Sequence, residues 1–177
     1  MPDSSKSSLS LSPDKKDVNT TSKELPNQAS ALFQSLFRCF QDGILIANAG
    51  TGEILIANPF FLTMTGYPPE EVNGKNLWEI ASLGRIVPDQ KNFDKLCHEK
   101  MVRQDRQILV TSRGSLLDVE FICHTFNALD QEMLCCILRD ITERVQIENK
   151  MMYLSHHDTL TGLYNRNYFE EELRRLE

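Results

Sequence analysis

Two adjacent histidines and an aspartate near the carboxyl end are the residues whose types are best suited to chemistry. His156, His157 and Asp158 offer imidazole and carboxylate groups, which are common zinc ligands. Neighbouring residues of a helix point about 100° apart, however, so the two rings are poorly placed to share one ion. The pattern therefore favours two solvent-facing or packed histidines over a metal site.

Three consecutive glutamates, Glu170 to Glu172, are the densest acidic cluster in the chain. Metal-assisted phosphoryl transfer needs carboxylates that converge on the ions. Consecutive side chains of a helix diverge, so these three cannot form such a site. The three glutamates are therefore not a candidate metal site for phosphoryl transfer.

Five cysteines carry the remaining reactive groups, and no two of them have the C-x-x-C spacing. An odd number of cysteines with mostly apolar neighbours predicts free thiols in a reducing compartment rather than a disulfide framework. The five are Cys39, Cys97, Cys123, Cys135 and Cys136.

The composition bounds the function classes. A length of 177 residues allows one domain with residues to spare. The net charge of −6 argues against broad binding to nucleic acid or to an anionic membrane. The sequence has no apolar run of 18 residues and no signal-peptide pattern, which predicts a cytoplasmic location.

The elements that must position these residues begin after a polar stretch. Residues 1–30 are rich in serine and predicted to be disordered. Residues 31–40 have apolar side chains at helical spacing after Ser30, a good N-cap, and this helix packs on the following domain or on a second copy. The later elements are predicted as strands 44–48 and 54–58, short helices after Asn58 and near 67–72 and 76–80, a helix 89–103, and strands 107–111, 115–126 and 132–139.

This order of strands, grouped helices and strands predicts an α+β fold with an antiparallel sheet. Asn58 caps the first short helix and Gly66 ends it. In the fourth strand Val119, Phe121 and Cys123 alternate with more polar residues, so one face of the sheet is buried. Met101 is predicted on the inward side of the helix 89–103.

Several short motifs together resemble the PAS sensor domain. They are Asn58-Pro59-Phe60-Phe61, Met64-Thr65-Gly66-Tyr67, Glu70-Glu71-Val72, Gly74-Lys75-Asn76 and Arg139-Asp140-Ile141-Thr142-Glu143-Arg144. The resemblance implies a five-stranded antiparallel sheet with short helices on one face, a small cavity between them, and a role in sensing or protein–protein signalling. It assigns residues 31–140 to the sensor domain.

The ligand of such a cavity is left open by the sequence. The pocket residues predicted from the pattern are Trp78, Phe93, Cys97, Phe121 and Cys123. His98 is a candidate haem ligand, but Cys97 and Met101 occupy the inward side beside it, so haem is disfavoured. Flavin photosensors of the family it resembles carry an Asn-Cys-Arg-Phe-type motif, which Cys97-His98-Glu99 does not match, so flavin is disfavoured as well. A small apolar metabolite or no ligand at all is the preferred prediction.

Asp140, Thr142 and Arg144 stand where the last strand becomes a helix. Their side chains can bond to nearby backbone, and Arg144 can pair with Asp140. They either shape this turn or transmit a signal. Residues 141–157 form a linker helix with two apolar stripes, which suits a coiled coil in a homodimer or packing on its own domain. The stripes are Ile141, Val145 and Met152, and Ile147, Met151 and Leu154.

Residues 158–177 resemble the opening of a GGDEF-type diguanylate cyclase domain. The motif residues are Asp158, Leu160, Thr161, Asn165 and Arg166. The resemblance implies a longer protein, a diguanylate cyclase, whose cyclase domain is cut here. The catalytic part of that domain is absent from residues 158–177, so this chain is predicted not to be an enzyme itself. A sensor histidine kinase is a lesser alternative, because Thr159-Leu160-Thr161-Gly162 replaces the residues that its phosphoacceptor box requires. The predicted function is a dimeric PAS module that controls a downstream cyclase, and the main alternative is a PAS interaction module without a ligand.

Overall fold

A computed structural model describes residues 18–176, with side chains for residues 28–166, 168–171 and 173–175. Helix α1, Val18–Cys39, is one unit, and the chain from Phe40 onward is another. The helix begins at Val18 rather than after Ser30. Residues 1–17 of the predicted disordered tail lie outside the described part. Within α1 the rings of Phe33 and Phe37, one turn apart, stack with centroids at 5.5 Å.

The second unit is built on one antiparallel sheet of five strands, in the order β2-β1-β5-β4-β3. The α+β prediction is confirmed. The strands are β1 Gly43–Asn48, β2 Ile54–Ala57, β3 Met101–Val110, β4 Leu116–Ala128 and β5 Gln131–Asp140. The helices between β2 and β3 are α2 Pro59–Thr65, α3 Pro69–Val72, a 3₁₀ turn Leu77–Glu79, and α4 Gln90–His98. Two helices follow the sheet, α5 Thr142–His156 and α6 Arg166–Leu176.

Asn58 fixes helix α2 to the sheet. Its Oδ1 accepts hydrogen bonds from the backbone N–H of Phe61 and of Ile44, both at 2.9 Å, and its Nδ2 donates to the Asp42 carbonyl. The side chain is fully buried, and every one of these bonds removes an otherwise unpaired polar group. The predicted N-cap is therefore confirmed, and it also joins α2 to β1.

Helix α4 ends earlier than predicted. Lys100 has φ +57°, a left-handed conformation that stops the helix. Met101 then starts β3 opposite His124 and is 65% exposed, so its predicted place on the inward side of a helix is wrong. The apolar spacing continued through Met101, but pairing with β4 replaced the helix with a strand.

The core lies between the sheet and the helices. Phe61, Phe93 and Phe121 are at most 1% exposed and come from α2, α4 and β4. Inward residues of all five strands pack around them. At roughly 25 cal/mol per Å² of buried apolar surface, three such rings contribute several kcal/mol to stability. In residues 18–176 no helix combines the length and the hydropathy needed to cross a bilayer.

Candidate functional site

The five predicted pocket residues lie together between α4, the 3₁₀ turn and β4. The rings of Trp78 and Phe93 meet at 5.4 Å between centroids, while Phe121 and Cys123 are fully buried on the inner face of β4. Cys97 is half-buried, and its Sγ donates to the Ala49 carbonyl at 3.6 Å. These side chains pack against one another and the rest of the core, so this part of the interior is occupied by the protein itself.

Trp78 is held by the β1–β2 turn. Gly52 has φ +76°, and a Cβ at this position would lie 2.3 Å from Cζ3 of Trp78. Only glycine allows the turn to lie this close to the indole. The backbone of the turn thus acts as one wall of the Trp78 site.

An open pocket of about 450 Å³ reaches Cys97 from the surface. It lies between the β1–β2 turn, the end of α4 and the start of β5. Its walls are formed by Ala49, Gly50, Asp94, Cys97, His98, Lys100 and Glu132. The pocket gives solutes a path to Cys97, behind which the buried core begins.

The residues do not fit a haem ligated by His98. The ring is exposed, and its Nδ1 lies 2.7 Å from the Asp94 carbonyl of the preceding turn. On the inner side of α4, Phe93 and Leu96 are packed into the core. Phe93 lies against one part of the Trp78 indole and the backbone of Gly52 against another.

Burial controls the thiols near this site. It raises the pKa of Cys97 to about 11 and that of Cys123 to about 11. Burial also raises the pKa of Cys136 well above its usual range. A thiolate in an apolar environment lacks the water that would stabilise its charge, so these cysteines are thiols at neutral pH.

The junction between β5 and α5 is fixed by Asp118 of β4. The Ile141 N–H donates to the Asp118 carbonyl at 2.8 Å. The Thr142 hydroxyl accepts from the Asp118 N–H at 3.0 Å and donates to the Asp118 carbonyl at 3.4 Å. Asp140 Oδ1 accepts from the Thr142 N–H at 2.8 Å. Two of the predicted transmission residues therefore form the joint between sheet and helix.

Arg144 does not pair with Asp140. Its Nε lies 3.6 Å from Glu148 Oε1 instead. Asp140 is the last residue of β5 and its carboxylate turns toward the Thr142 backbone, so the two are not related by a helical turn. An i,i+4 pair requires both residues in the helix, which begins only at Thr142.

A buried carboxylate on the other face of the sheet was missed by sequence reasoning. Glu120 is 3% exposed although it alternates with the core residues of β4. It forms ion pairs with Arg103 of β3 and, at 3.6 Å, with Arg139 of β5. Arg139 also makes a two-pronged contact with Asp42, which raises the pKa of the guanidinium. The feature of the sequence that could have revealed this buried carboxylate is an arginine on each of the two strands that flank Glu120.

The predicted cyclase-start residues build a turn and a helix cap. Asp158 Oδ1 accepts from the Thr161 N–H and hydroxyl, both at 2.9 Å, and these bonds lower the pKa of the Asp158 carboxyl. Asn165 Oδ1 accepts from the Tyr168 N–H in α6, and its Nδ2 donates to the Ser155 carbonyl of α5. The other two motif residues point outward: Leu160 is 94% exposed, and Arg166 pairs with Glu170.

The adjacent histidines have separate aromatic partners. The His157 ring lies between Tyr153 and Tyr164, at 4.0 and 4.6 Å between centroids. The His156 ring instead meets the edge of Tyr168 at 4.9 Å. Among the described residues, no cluster of three histidine, cysteine or acidic side chains has the arrangement of a metal site. Both imidazole rings pack against tyrosine rings.

A five-stranded antiparallel sheet with short helices on one face, continued by a helix after its central strand, defines a sensor-type domain. A family model described as PAS domain matches residues 41–143. The chain belongs to the PAS domain family. The PAS domain of an HTR-like protein from Haloarcula marismortui has the same fold, with a TM-score of 0.57 and 24% identity, over 70% of this chain and 99% of that one.

Curated relatives are longer proteins. Diguanylate cyclase DgcM of Escherichia coli O157:H7 is 31% identical over 129 residues, which are 71% of this chain and 30% of that protein. An uncharacterized signaling protein of Caulobacter vibrioides is 29% identical over 133 residues, 75% of this chain and 16% of that protein. The chain thus spans less than a third of the length of these relatives.

Proposed function

We propose that this chain is a sensory PAS module that regulates a diguanylate cyclase domain, and that α5 carries the signal within a homodimer. The observation that carries the proposal is the joint at Asp118, where Thr142 and Ile141 hold the start of α5 to the centre of the sheet. A shift of β4 against β5 is thereby passed to the helix. The similarity to DgcM supports a cyclase as the regulated domain.

The two predicted stripes of α5 have different surroundings, which supports a dimer. Ile141 and Val145 are 4% and 5% exposed, because they pack on the helix's own domain. Met152, predicted on the same stripe, is 62% exposed, so that stripe is divided.

The second stripe is open along its whole length. Ile147, Met151 and Leu154 are 51%, 67% and 45% exposed. Their spacing of four and three residues is that of coiled-coil core positions. A second copy of α5 would cover this stripe and remove its apolar surface from water.

The segment after α5 is proposed as the first part of the cyclase domain. The turn made by Asp158 and the cap made by Asn165 connect α5 directly to α6, so a rotation or separation of paired α5 helices would be transferred to α6 and the cyclase domain beyond it. A cyclase draws on cytoplasmic GTP, and the cytoplasm is therefore where we place the module.

Sedimentation equilibrium of Met151→Glu against Asn149→Glu tests the α5 dimer. Both changes add a carboxylate to an exposed position, but only Met151 lies on the open stripe. We expect the unaltered chain and Asn149→Glu to dimerise and Met151→Glu to be monomeric. A strict monomer at high micromolar concentration, or a dimer that survives Met151→Glu, would contradict the proposal.

A ligand-free interaction module is the second candidate. It is favoured by the complete burial of Phe61, Phe93 and Phe121, whose rings occupy the interior that a ligand would need. Native mass spectrometry of the purified chain separates the two candidates. A stoichiometric small-molecule adduct supports a ligand-binding sensor, whereas the bare chain mass supports the interaction module.

A further inference from the structure

Two buried cysteines lie face to face across the centre of the sheet. Cys123 of β4 is directly opposite Cys136 of β5 in the antiparallel register. Both side chains point into the core and are fully buried. Cys135, next to Cys136, points to the opposite face because successive residues of a strand alternate.

The hydrogen-bond pattern shows which kind of cross-strand pair this is. On one side, the Thr125 N–H donates to the Lys100 carbonyl. Lys100 lies opposite Thr125 in the register of β3 and β4. In an antiparallel ladder the backbone N–H and C=O groups of every second residue point to the same neighbouring strand. Those of Cys123, two residues before Thr125, therefore also face β3. They therefore do not face β5.

The same reasoning applies to the other cysteine. The Ala49 N–H donates to the Glu132 carbonyl, and Leu45 is opposite Cys136 in the same register. Since Glu132 and Cys136 are four residues apart, the peptide groups of Cys136 face β1. Cys123 and Cys136 are thus a non-hydrogen-bonded pair, whose Cα atoms are typically about 4.5 Å apart with side chains close together. A disulfide accepts Cα separations from about 4.4 Å upward.

We propose that Cys123 and Cys136 are a dithiol that closes reversibly to a disulfide when hydrogen peroxide oxidises it. One sulfur attacks a peroxide oxygen, the O–O bond breaks, and the products are a sulfenic acid and one water. The second sulfur attacks the sulfenic sulfur, the S–S bond forms, the S–O bond breaks, and a second water leaves. Two thiols and one hydrogen peroxide therefore give one disulfide and two waters.

The open pocket at Cys97 brings the oxidant to the edge of the core. Cys97 forms part of the pocket wall and packs against the core cluster that contains Cys123 and Cys136. The high pKa of the buried thiols keeps the reactive thiolate scarce. The pair is thus expected to oxidise slowly at neutral pH and faster as the pH rises.

The disulfide would act on the joint with α5. Cys136 lies four residues before Asp140 in β5, and Cys123 lies five residues after Asp118 in β4. A bond between them fixes these two strands beside the point where Asp118 holds Thr142. That effect on α5 rests on the proposed function, whereas formation of the bond does not.

The test uses the 177-residue chain carrying Cys39→Ser, which removes an exposed thiol that could join two chains. The chain is treated with hydrogen peroxide, its free thiols are blocked with N-ethylmaleimide in denaturant, and it is cleaved after glutamate. Cys123 then lies in fragment 121–132, and Cys135 and Cys136 lie in fragment 133–143. We expect the two fragments to remain joined, with the loss of two hydrogens, and to separate after reduction.

Two variants assign the bond. Cys135→Ser should keep the joined fragments, and Cys136→Ala should lose them while Cys123 becomes fully alkylated. Separate fragments in the oxidised parent chain, or joined fragments in Cys136→Ala, would overturn the proposal. The parent chain and Cys135→Ser together decide the question even where Cys136→Ala does not fold, because Cys135→Ser leaves Cys136 as the single cysteine of its fragment.

Sedimentation of the oxidised and reduced parent chains separates this inference from the proposed function. A change in the dimer on oxidation supports the coupling to α5. If the fragments join but the dimer is unchanged, the dithiol is supported and its coupling to α5 is overturned. If neither form dimerises, the proposed function fails, and the joined fragments still support the dithiol.

Discussion

The Thr142 hydroxyl bonds to both polar groups of the Asp118 backbone, accepting from its N–H at 3.0 Å and donating to its carbonyl at 3.4 Å. The Thr142 side chain, at the start of α5, thereby bonds to the backbone near the amino end of β4 as a neighbouring strand would. Arg106 of β3 adds an ion pair to the Asp118 side chain at 2.6 Å. The start of α5 is therefore linked to two strands besides the one it follows.

Replacing Thr142 with valine should weaken this joint. The shape is kept, but the part-buried Asp118 N–H loses its acceptor, at a cost of about 1–3 kcal/mol in the free energy of unfolding. Thr142→Ser retains the hydroxyl and should lose less. Urea denaturation of the three chains measures the difference, and equal stabilities of the valine and serine variants would show that the hydroxyl is not holding the joint.

Removing the charge of the buried Glu120 should lower the free energy of unfolding far more than removing the charge of the exposed Asp105. Glu120→Gln removes the charge that Arg103 and Arg139 share. We expect the free energy of unfolding to fall by about 1.5–3 kcal/mol, the usual value for hydrogen bonds to charged groups. Asp105 pairs with the same Arg103, but its side chain is 83% exposed. Asp105→Asn should therefore change stability by less than about 0.5 kcal/mol. A loss in Asp105→Asn as large as in Glu120→Gln would contradict this ranking.

Gly52 and Gly74 form a matched pair for testing the contact with Trp78. Both have a positive φ, +76° and +77°, but a Cβ at Gly74 has no atom within 4 Å. Gly74→Ala should therefore show only the backbone strain, about 1 kcal/mol. Gly52→Ala should lose more stability and also shift the emission of Trp78, the only tryptophan of the chain. An unchanged emission spectrum in Gly52→Ala would mean that the indole does not touch the turn.

The Asp158 turn should depend on pH. Thr161 and the Leu160 N–H hold the pKa of the Asp158 carboxyl below its ordinary value of 3.8. A lowered carboxyl pKa means that the ionised form stabilises the turn, fully so above pH 3.8, and that this stabilisation is lost as the pH falls through the lower, folded value. Thr161→Val should raise the pKa of Asp158 in an NMR titration. Asp89, whose pKa is lowered by Asn92 in another helix cap, is the internal control and should not move.

The parts of the fold that were predictable depend on neighbours in sequence. Asn58 caps a helix three residues away and Gly66 ends it with φ +75°, and both effects act within one helical turn. The end of α4 was not predictable in this way. Nothing local distinguishes Lys100 and Met101 from a continuing helix, because the competing interaction is pairing with β4, more than twenty residues later.

The candidate site shows the same division. The alternation of β4 correctly placed Phe121 and Cys123 inward, since period two is a local property. It also placed Glu120 outward, and only the arginines of two other strands explain why that carboxylate is nevertheless buried. The pairing of Cys123 with Cys136 depends on register, which the composition of either strand alone does not fix.

The last strand to be made is the middle one in the sheet. Before β5 exists, β1–β2 and β3–β4 are two separate hairpins with no edge in common. A hairpin alone is at best marginally stable in water, so the sheet closes in one late step that joins contacts far apart along the chain. During synthesis the domain cannot complete its fold until residue 140 has left the ribosome. Until then, β1 of the first hairpin and β4 of the second lack the hydrogen-bonding partner that β5 provides.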